Sequence, residues 1–332
     1  MMLSDRGIRQ AIGDGAISIE PFDFDSLKTC SYEISTEIIW RVARASLDKD
    51  HYSMEQFIDN CCEPYEGIML PGANYIGMSR EKLLSCLYTN FSTRSSIARL
   101  GVQARHIPRD ANNTSENVFF SMRTFDTSCE MPEGVPMVQA YWSASLPASR
   151  AELESLIKSG KVTFGQPVPE NDGRHYVDEP HSLMLRLGGR VRAYNGKILR
   201  YGANNDDCFD EMNIDDLQYL APNRFYIAHT EEVVEMPPDY AGVLRRLPAD
   251  FGYGYIDPNS VLVIPGSSHP IVLEMQFPQG RTVRRGSPIC RMDLHQLDQD
   301  PERKYSGRYQ NQRGPQTSLS HLDRHFPGKA SK

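Results

Sequence analysis

The sequence predicts a mainly β protein made of two tandem β domains, barrels or sandwiches, with a few short helices. Three observations carry the prediction. The patterned segments are short runs rich in β-branched and aromatic residues, such as SYEIS at 31–35, NVFFSM at 117–122 and IVLEMQF at 271–277. Turn formers bound these runs, and the chain holds 24 Gly and 22 Pro. The pattern also repeats. Ser31-Tyr32-Glu33-Ile34 and Trp40-Arg41-Val42 are echoed by Ser182-Leu183-Met184-Leu185-Arg186-Leu187 and Arg190-Val191-Arg192-Ala193-Tyr194, and the stretch from Leu70 to Met78 by Leu220 to Ala228, at one offset of about 150 residues. Chance likeness of short β runs is the competing explanation, but two matches at one offset indicate a tandem duplication. A length of 332 residues suits two domains at roughly 100 to 200 residues each.

In chain order, residues 5–13 read as a helix, followed by strands at 31–35 and 74–78. A second helix occupies 95–101, after Arg94, and the strand at 117–122 closes the first domain, residues 1–125. Residues 126–175, rich in Pro and polar side chains, read as a connector. It contains one helix over 149–159, where Ser149 can accept a hydrogen bond from a free backbone N–H and Gly160 ends the helix. Strands at 182–187, 224–230, 260–264 and 271–277 build the second domain, residues 176–300, and 301–332 form a C-terminal arm.

Composition excludes several functions. With 36 Lys+Arg against 43 Asp+Glu the formal charge is -7 and the pI about 5.8, which disfavours binding to a nucleic-acid backbone. No apolar run approaches the roughly 18 residues of a membrane span, and the opening MMLSDRGIRQ lacks the apolar core of a signal peptide, so the expected location is the cytoplasm. Seven Cys in no C-x-x-C spacing argue against a disulfide framework and a structural zinc site.

Three segments could carry chemistry. Arg94-Ser95-Ser96-Ile97-Ala98-Arg99-Leu100-Gly101 concentrates two guanidinium groups and two hydroxyls at a helix start, which is either an anion site or an ordinary cap with solvated arginines. Glu274 sits within the apolar strand Pro270-Ile271-Val272-Leu273-Glu274-Met275. If buried, it needs a partner or a raised pKa and becomes a candidate general base; if the strand alternates, it faces water. Residues 303–318 contain Arg303, Lys304, Arg308 and Arg313 with Tyr305 and Tyr309 and no acid. Such an arm is either solvated or able to fold over an anionic ligand and exclude water. His229-Thr230-Glu231 matches the H-x-E of zinc nucleobase deaminases, but the P-C-x-x-C that completes that site does not occur.

Together these motifs resemble the dCTP deaminase family of the dUTPase-like superfamily. Met2-Leu3-Ser4-Asp5-Arg6-Gly7-Ile8 resembles the family's start, Arg94 to Gly101 its R-S-S-L-A-R-L-G signature, Ile271-Val272-Leu273-Glu274 its catalytic strand, and Arg308-Tyr309-Gln310-Asn311-Gln312-Arg313-Gly314 its closing arm. The resemblance implies two dUTPase-like domains of β-barrel or distorted jelly-roll form, and zinc-independent deamination of dCTP to dUTP and ammonia. It implies Glu274, Arg99 and Ser95 as catalytic residues, with Arg94, Ser96, Asp257, Arg308, Tyr309 and Gln312 binding substrate. No metal is expected on protein ligands, and Mg2+ would arrive bound to the substrate triphosphate. Arg308 replaces the Lys of the family pattern, which turns a point donor into a planar fork.

The two copies depart from the family in complementary ways. The first has Met122 at the position expected for the glutamate; the second reads Arg245-Arg246-Leu247-Pro248-Ala249-Asp250 where R-S-S would stand. Because the family's sites lie between subunits of an oligomer, one composite site per chain is expected, built from Arg94 to Arg99 of the first copy and Glu274 of the second. A homo-oligomer, dimer or trimer, is the expected assembly. The D-P-G turn of the family matches either Ile264-Pro265-Gly266 without a gap or Tyr255-Ile256-Asp257-Pro258 with a longer hairpin, and residue identity favours the second. A bifunctional enzyme that continues to dUMP and pyrophosphate, or a non-catalytic nucleotide-binding regulator, are the alternative functions.

Overall fold

The computed structural model describes residues 1–43, 53–107, 117–143, 146–164, 177–178, 182–247, 260–277 and 279–322. Its principal elements are α1 (Asp5–Gly13), β1 (Ile17–Glu20), β2 (Tyr32–Val42), α2 (Met54–Cys61), β3 (Asn74–Ser85), β4 (Thr89–Thr93), α3 (Ser95–Ala98), β5 (Val102–His106), β6 (Asn117–Thr124), β7 (Pro136–Trp142), α4 (Arg150–Lys158), β8 (Ser182–Tyr194), β9 (Phe225–Glu235), β10 (Tyr240–Arg245), β11 (Leu262–Val263), β12 (Ser268–Gln276) and β13 (Pro288–Gln296).

These strands form two large, nearly closed sheets with one shared plan. The first runs β4-β7-β2-β3-β6-β5, and in the second β10-β13-β8-β9 run side by side with β12 paired to β9. The mainly β, two-barrel fold expected from the repeat is therefore the observed one. Matching details recur at matching places. The Leu70 N–H donates to the Tyr75 hydroxyl at 2.8 Å and the Ala221 N–H to the Tyr226 hydroxyl at 2.7 Å. Buried Glu81 accepts the Ser35 N–H and buried Glu232 the Arg186 N–H, both at 2.9 Å, beside register shifts in the strand pairs.

These pairs correct the alignment of the copies by one residue. Tyr75 corresponds to Tyr226, not to Phe225. Ile76 pairs with Ser121 just as Ile227 pairs with Glu274, so the counterpart of Glu274 is Ser121 and not Met122. Met122 is a buried core residue, as is Met275, whereas Ser121 is exposed. The first copy still lacks the glutamate, for a different residue than expected.

Other expectations shift for local reasons. The supposed connector 126–175 contains β7, which is buried along its whole length and lies between β4 and β2 in the first sheet. α4 starts where Ser149 accepts the Glu152 N–H. An unpredicted helix, α2, has the same device, with Ser53 and Gln56 capping each other's backbone. α3 is one turn rather than a helix through 101, because Gly101 takes a φ of +72° and an added Cβ would sit 2.5 Å from Thr127 Oγ1.

The halves are packed together. Phe125 of the first stacks on Phe225 of the second at 5.4 Å between centroids, and Cys129–Glu130 pairs with both Ile68–Met69 and Leu199–Arg200 in a small sheet spanning the seam. No helix among the described residues is long and apolar enough to cross a membrane.

Candidate active site

The seam brings α3 of the first half against β12 of the second, and the C-terminal arm lies across both. Glu274 projects from β12 and is 1% exposed; Arg99 follows α3 and is 4% exposed. The strand is therefore not alternating into water at this point. Arg99 Nε stands 3.7 Å from Glu274 Oε1, within ion-pair reach but too far for a good hydrogen bond. Among the described residues Glu274 Oε2 and Arg99 Nε have no hydrogen-bond partner. Burial drives the Glu274 carboxyl from its ordinary 4.5 up to about 7, while Arg99 and backbone hydrogen bonding from Glu274 and Ser260 pull the other way. A carboxyl that titrates near neutrality is suited to accept and return a proton.

The arm folds over this pair. The Tyr309 ring lies 3.7 Å from the Arg99 guanidinium carbon, and the Gln312 side-chain oxygen lies 3.4 Å from both terminal nitrogens of Arg99. Arg99 also donates to the Gln316 carbonyl at 2.9 Å. Further along, the Ser318 hydroxyl donates to the Ser96 carbonyl at 2.7 Å, and the Leu319 N–H donates to the Tyr309 hydroxyl at 3.0 Å. The arm is thus a packed lid, not a solvated tail. Replacing Gln312 by Ala should weaken the latch, raising KM about tenfold with a smaller change in kcat, as steady-state kinetics would report.

Two cavities flank the lid. The smaller, about 60 Å³, is bounded by Ser95, Arg99, Glu274, Ser260, His269 and Tyr305. The larger, about 640 Å³, is bounded by Lys28, Arg94, Ser96, Lys304 and Arg308, with Ser95, Tyr305 and Tyr309 common to both. Glu33 stands in the larger one and is occupied by two cations, Arg94 Nε at 2.7 Å and Lys28 Nζ at 3.3 Å. The Ser96 hydroxyl is buried without a hydrogen-bond partner among the described residues. The small cavity carries the Arg99–Glu274 pair, and the large one carries Lys28, Arg94, Lys304 and Arg308.

Of the residues singled out in the sequence, Ser95, Arg99, Glu274 and Tyr309 meet around the small cavity, and Gln312 contacts Arg99. Arg94, Ser96 and Arg308 line the large one. Asp257 lies outside the described residues. The turn that leads into β12 is Ile264–Ser267, where Gly266 takes a φ of +76° and the Ser267 N–H donates to the Ile264 carbonyl at 3.2 Å. This turn is the Ile264-Pro265-Gly266 of the ungapped match, while the alternative through Tyr255-Ile256-Asp257-Pro258 lies outside the described residues.

Sequence reasoning missed Ser260, His269 and a role for Tyr305. His269 Nδ1 lies 3.1 Å from the Gln312 amide nitrogen, and burial followed by the charge of Arg99 depresses its pKa to about 4, so it is neutral at pH 7. Burial raises the Tyr305 hydroxyl to about 12. His269 stands directly before the apolar run that pointed to Glu274, which was the one available signal.

A protein-family model described as dCTP deaminase-like matches residues 2–139 and 148–297. The chain belongs to the dCTP deaminase-like family. Among its curated relatives, the dUMP-forming dCTP deaminase of Aquifex aeolicus (strain VF5) is 29% identical over 144 residues, covering 43% of this chain and 80% of the relative. The dCTP deaminase of Pyrobaculum calidifontis is 29% identical over 173 residues, covering 50% of this chain and 92% of the relative. The crystal structure of 2'-deoxycytidine 5'-triphosphate deaminase from Agrobacterium tumefaciens superposes with a TM-score of 0.73 at 15% identity, covering 91% of this chain and 99% of that one. That likeness is one of fold, and it extends over both halves of this dCTP deaminase-like chain.

Proposed function

We propose that this chain hydrolyses dCTP to dUTP and ammonia at a single composite site, assembled from Ser95 and Arg99 of the first half, Glu274 of the second and the arm. The observation that carries the reading is the buried Arg99–Glu274 pair, whose carboxyl titrates near neutrality beside a cation-lined cavity.

In the proposed reaction Glu274, ionised, takes a proton from water as the water oxygen bonds to C4 of cytosine. The same carboxyl delivers that proton to N3, then carries the proton of the new C4 hydroxyl to the 4-amino group, and the C4–N bond breaks as ammonia leaves and the oxygen stays on C4 as a carbonyl. Arg99 orients the carboxylate and tempers the cost of burying its charge. Ser95 supplies a hydroxyl at the edge of both cavities, where the base would join the sugar and phosphates. Arg94, Ser96 and Arg308 would hold the phosphates, and the arm would exclude water. Among the described residues no group of three His, Cys, Asp or Glu forms a metal cradle, and both Glu33 oxygens are held by cations. As the resemblance implies, Mg2+ would travel on the triphosphate and partly neutralise the phosphates while the cationic side chains hold them.

Because the base form of Glu274 is required, kcat/KM for dCTP should fall as the pH drops through about 7, approaching tenfold per pH unit below it. An acid limb lying below pH 5 would contradict this assignment. The names of relatives such as the Aquifex aeolicus enzyme favour one second reading, continuation to dUMP and pyrophosphate. Separate assays of ammonia and pyrophosphate with dCTP and with dUTP decide between them: ammonia alone supports dUTP as the end product. dCTP binding without ammonia release would instead support a regulatory protein. If chains associate, each is expected to retain a complete site.

A further inference from the structure

Ser260 belongs to the second half, just before β11, and is 8% exposed. Its hydroxyl lies 2.7 Å from the hydroxyl of Ser95 on α3 of the first half, and either oxygen can donate. The next residue, Val261, donates its N–H to the Ser92 hydroxyl at 3.0 Å. Two consecutive residues of the second half are thus pinned to the strand-to-helix corner that presents Ser95. Ser260 also borders the small cavity that holds Glu274.

A serine hydroxyl has one proton and two lone pairs and rotates unless a partner holds it. Ser95 borders both cavities, and Ser260 is the side chain that hydrogen-bonds its hydroxyl. Whichever oxygen donates, the bond to Ser260 takes one position around the Ser95 oxygen and restricts the rotation of its hydroxyl. In both arrangements the direction is set across the seam. We propose that Ser260 is a positioning residue for deamination, which acts through Ser95 by fixing the direction of its hydroxyl, so that docking of the two halves completes the site. This inference rests on the deaminase reading above.

The test is a double-mutant cycle on the full chain, with Ser95→Ala, Ser260→Ala, the double variant and Ser260→Thr, following ammonia release from dCTP. Loss of one positioned hydroxyl should lower kcat about tenfold in Ser260→Ala, the scale of one hydrogen bond, with KM little changed. In the Ser95→Ala background the same change should cost nothing further, and Ser260→Thr should recover most of the rate. The acid limb of the pH profile should not move in Ser260→Ala, because the substitution adds and removes no charge beside Glu274. Thermal unfolding of each variant identifies any that fails to fold, and Ser260→Thr then decides by its own rate, which should approach that of the unmodified chain. Wild-type kcat in Ser260→Ala, or losses that add in the double variant, would overturn the role of Ser260 alone. Absence of ammonia release by the unmodified chain would overturn the deaminase reading, and the role with it.

Discussion

Glu274→Gln should reduce ammonia release from dCTP by about a thousandfold, within the range general acid–base catalysis contributes, while dCTP affinity changes little. The amide keeps the shape of the protonated acid but cannot take a proton from water. The same substitution should stabilise the fold at alkaline pH. The folded Glu274 carboxyl titrates at about 7 against an ordinary 4.5. Its contribution to stability is therefore fully present below pH 4.5 and is lost as pH rises through 7, where a charge must be buried. Glutamine carries no such charge, and Arg99 retains the Gln312 oxygen, the Gln316 carbonyl and the Tyr309 ring. Thermal unfolding at pH 5 and pH 8 should show the variant gaining on the wild type only at the higher pH. An inactive variant with no such gain would mean that the carboxyl is not strained by burial.

Arg99→Leu should have the second largest effect, lowering kcat by about a hundredfold or more, as loss of a buried charge partner of a catalytic group would. Among the influences that oppose the raised pKa of Glu274, the charge of Arg99 is the largest, so its removal should move the acid limb of kcat/KM to higher pH. The arm should also loosen, since Gln312, Gln316 and Tyr309 all meet this guanidinium. Arg99→Lys separates these roles: the retained charge should hold the limb near its wild-type pH, while the lost planar fork should leave the arm more open to limited proteolysis. A limb that stays in place in Arg99→Leu would show that the pair is not coupled.

What could be read from the sequence follows the range of the forces involved. The run from Arg94 to Gly101 is local chemistry, and its helix starts where expected but ends after one turn. Glu274 stood out because a carboxylate in an apolar strand requires an explanation. The repeat was legible, but its second match is off by one because Leu70 is set against Leu220 by residue identity, whereas the hydrogen-bonded turns equate Leu70 with Ala221. β7 was read as connector because Pro136 heads it and Gln139 interrupts its apolar pattern, although both are buried. Of the two matches for the turn before β12, Pro265-Gly266 forms a turn, and Asp257-Pro258 lies outside the described residues. Ser260 and His269 were invisible for a different reason. Ser260 meets Ser95 only when the first half docks against the second, and His269 meets Gln312 only when the arm folds over.

That docking is the centre of the account: one chain supplies every part of one site. Co-expression of Arg99→Leu chains with Glu274→Gln chains, followed by ammonia release from dCTP, tests it directly. If Arg99 and Glu274 work within one chain, the mixture should be no more active than its parents, whatever the assembly. Recovery of a substantial fraction of wild-type activity would contradict it, because the intact Arg99 and Glu274 would then be meeting from different chains.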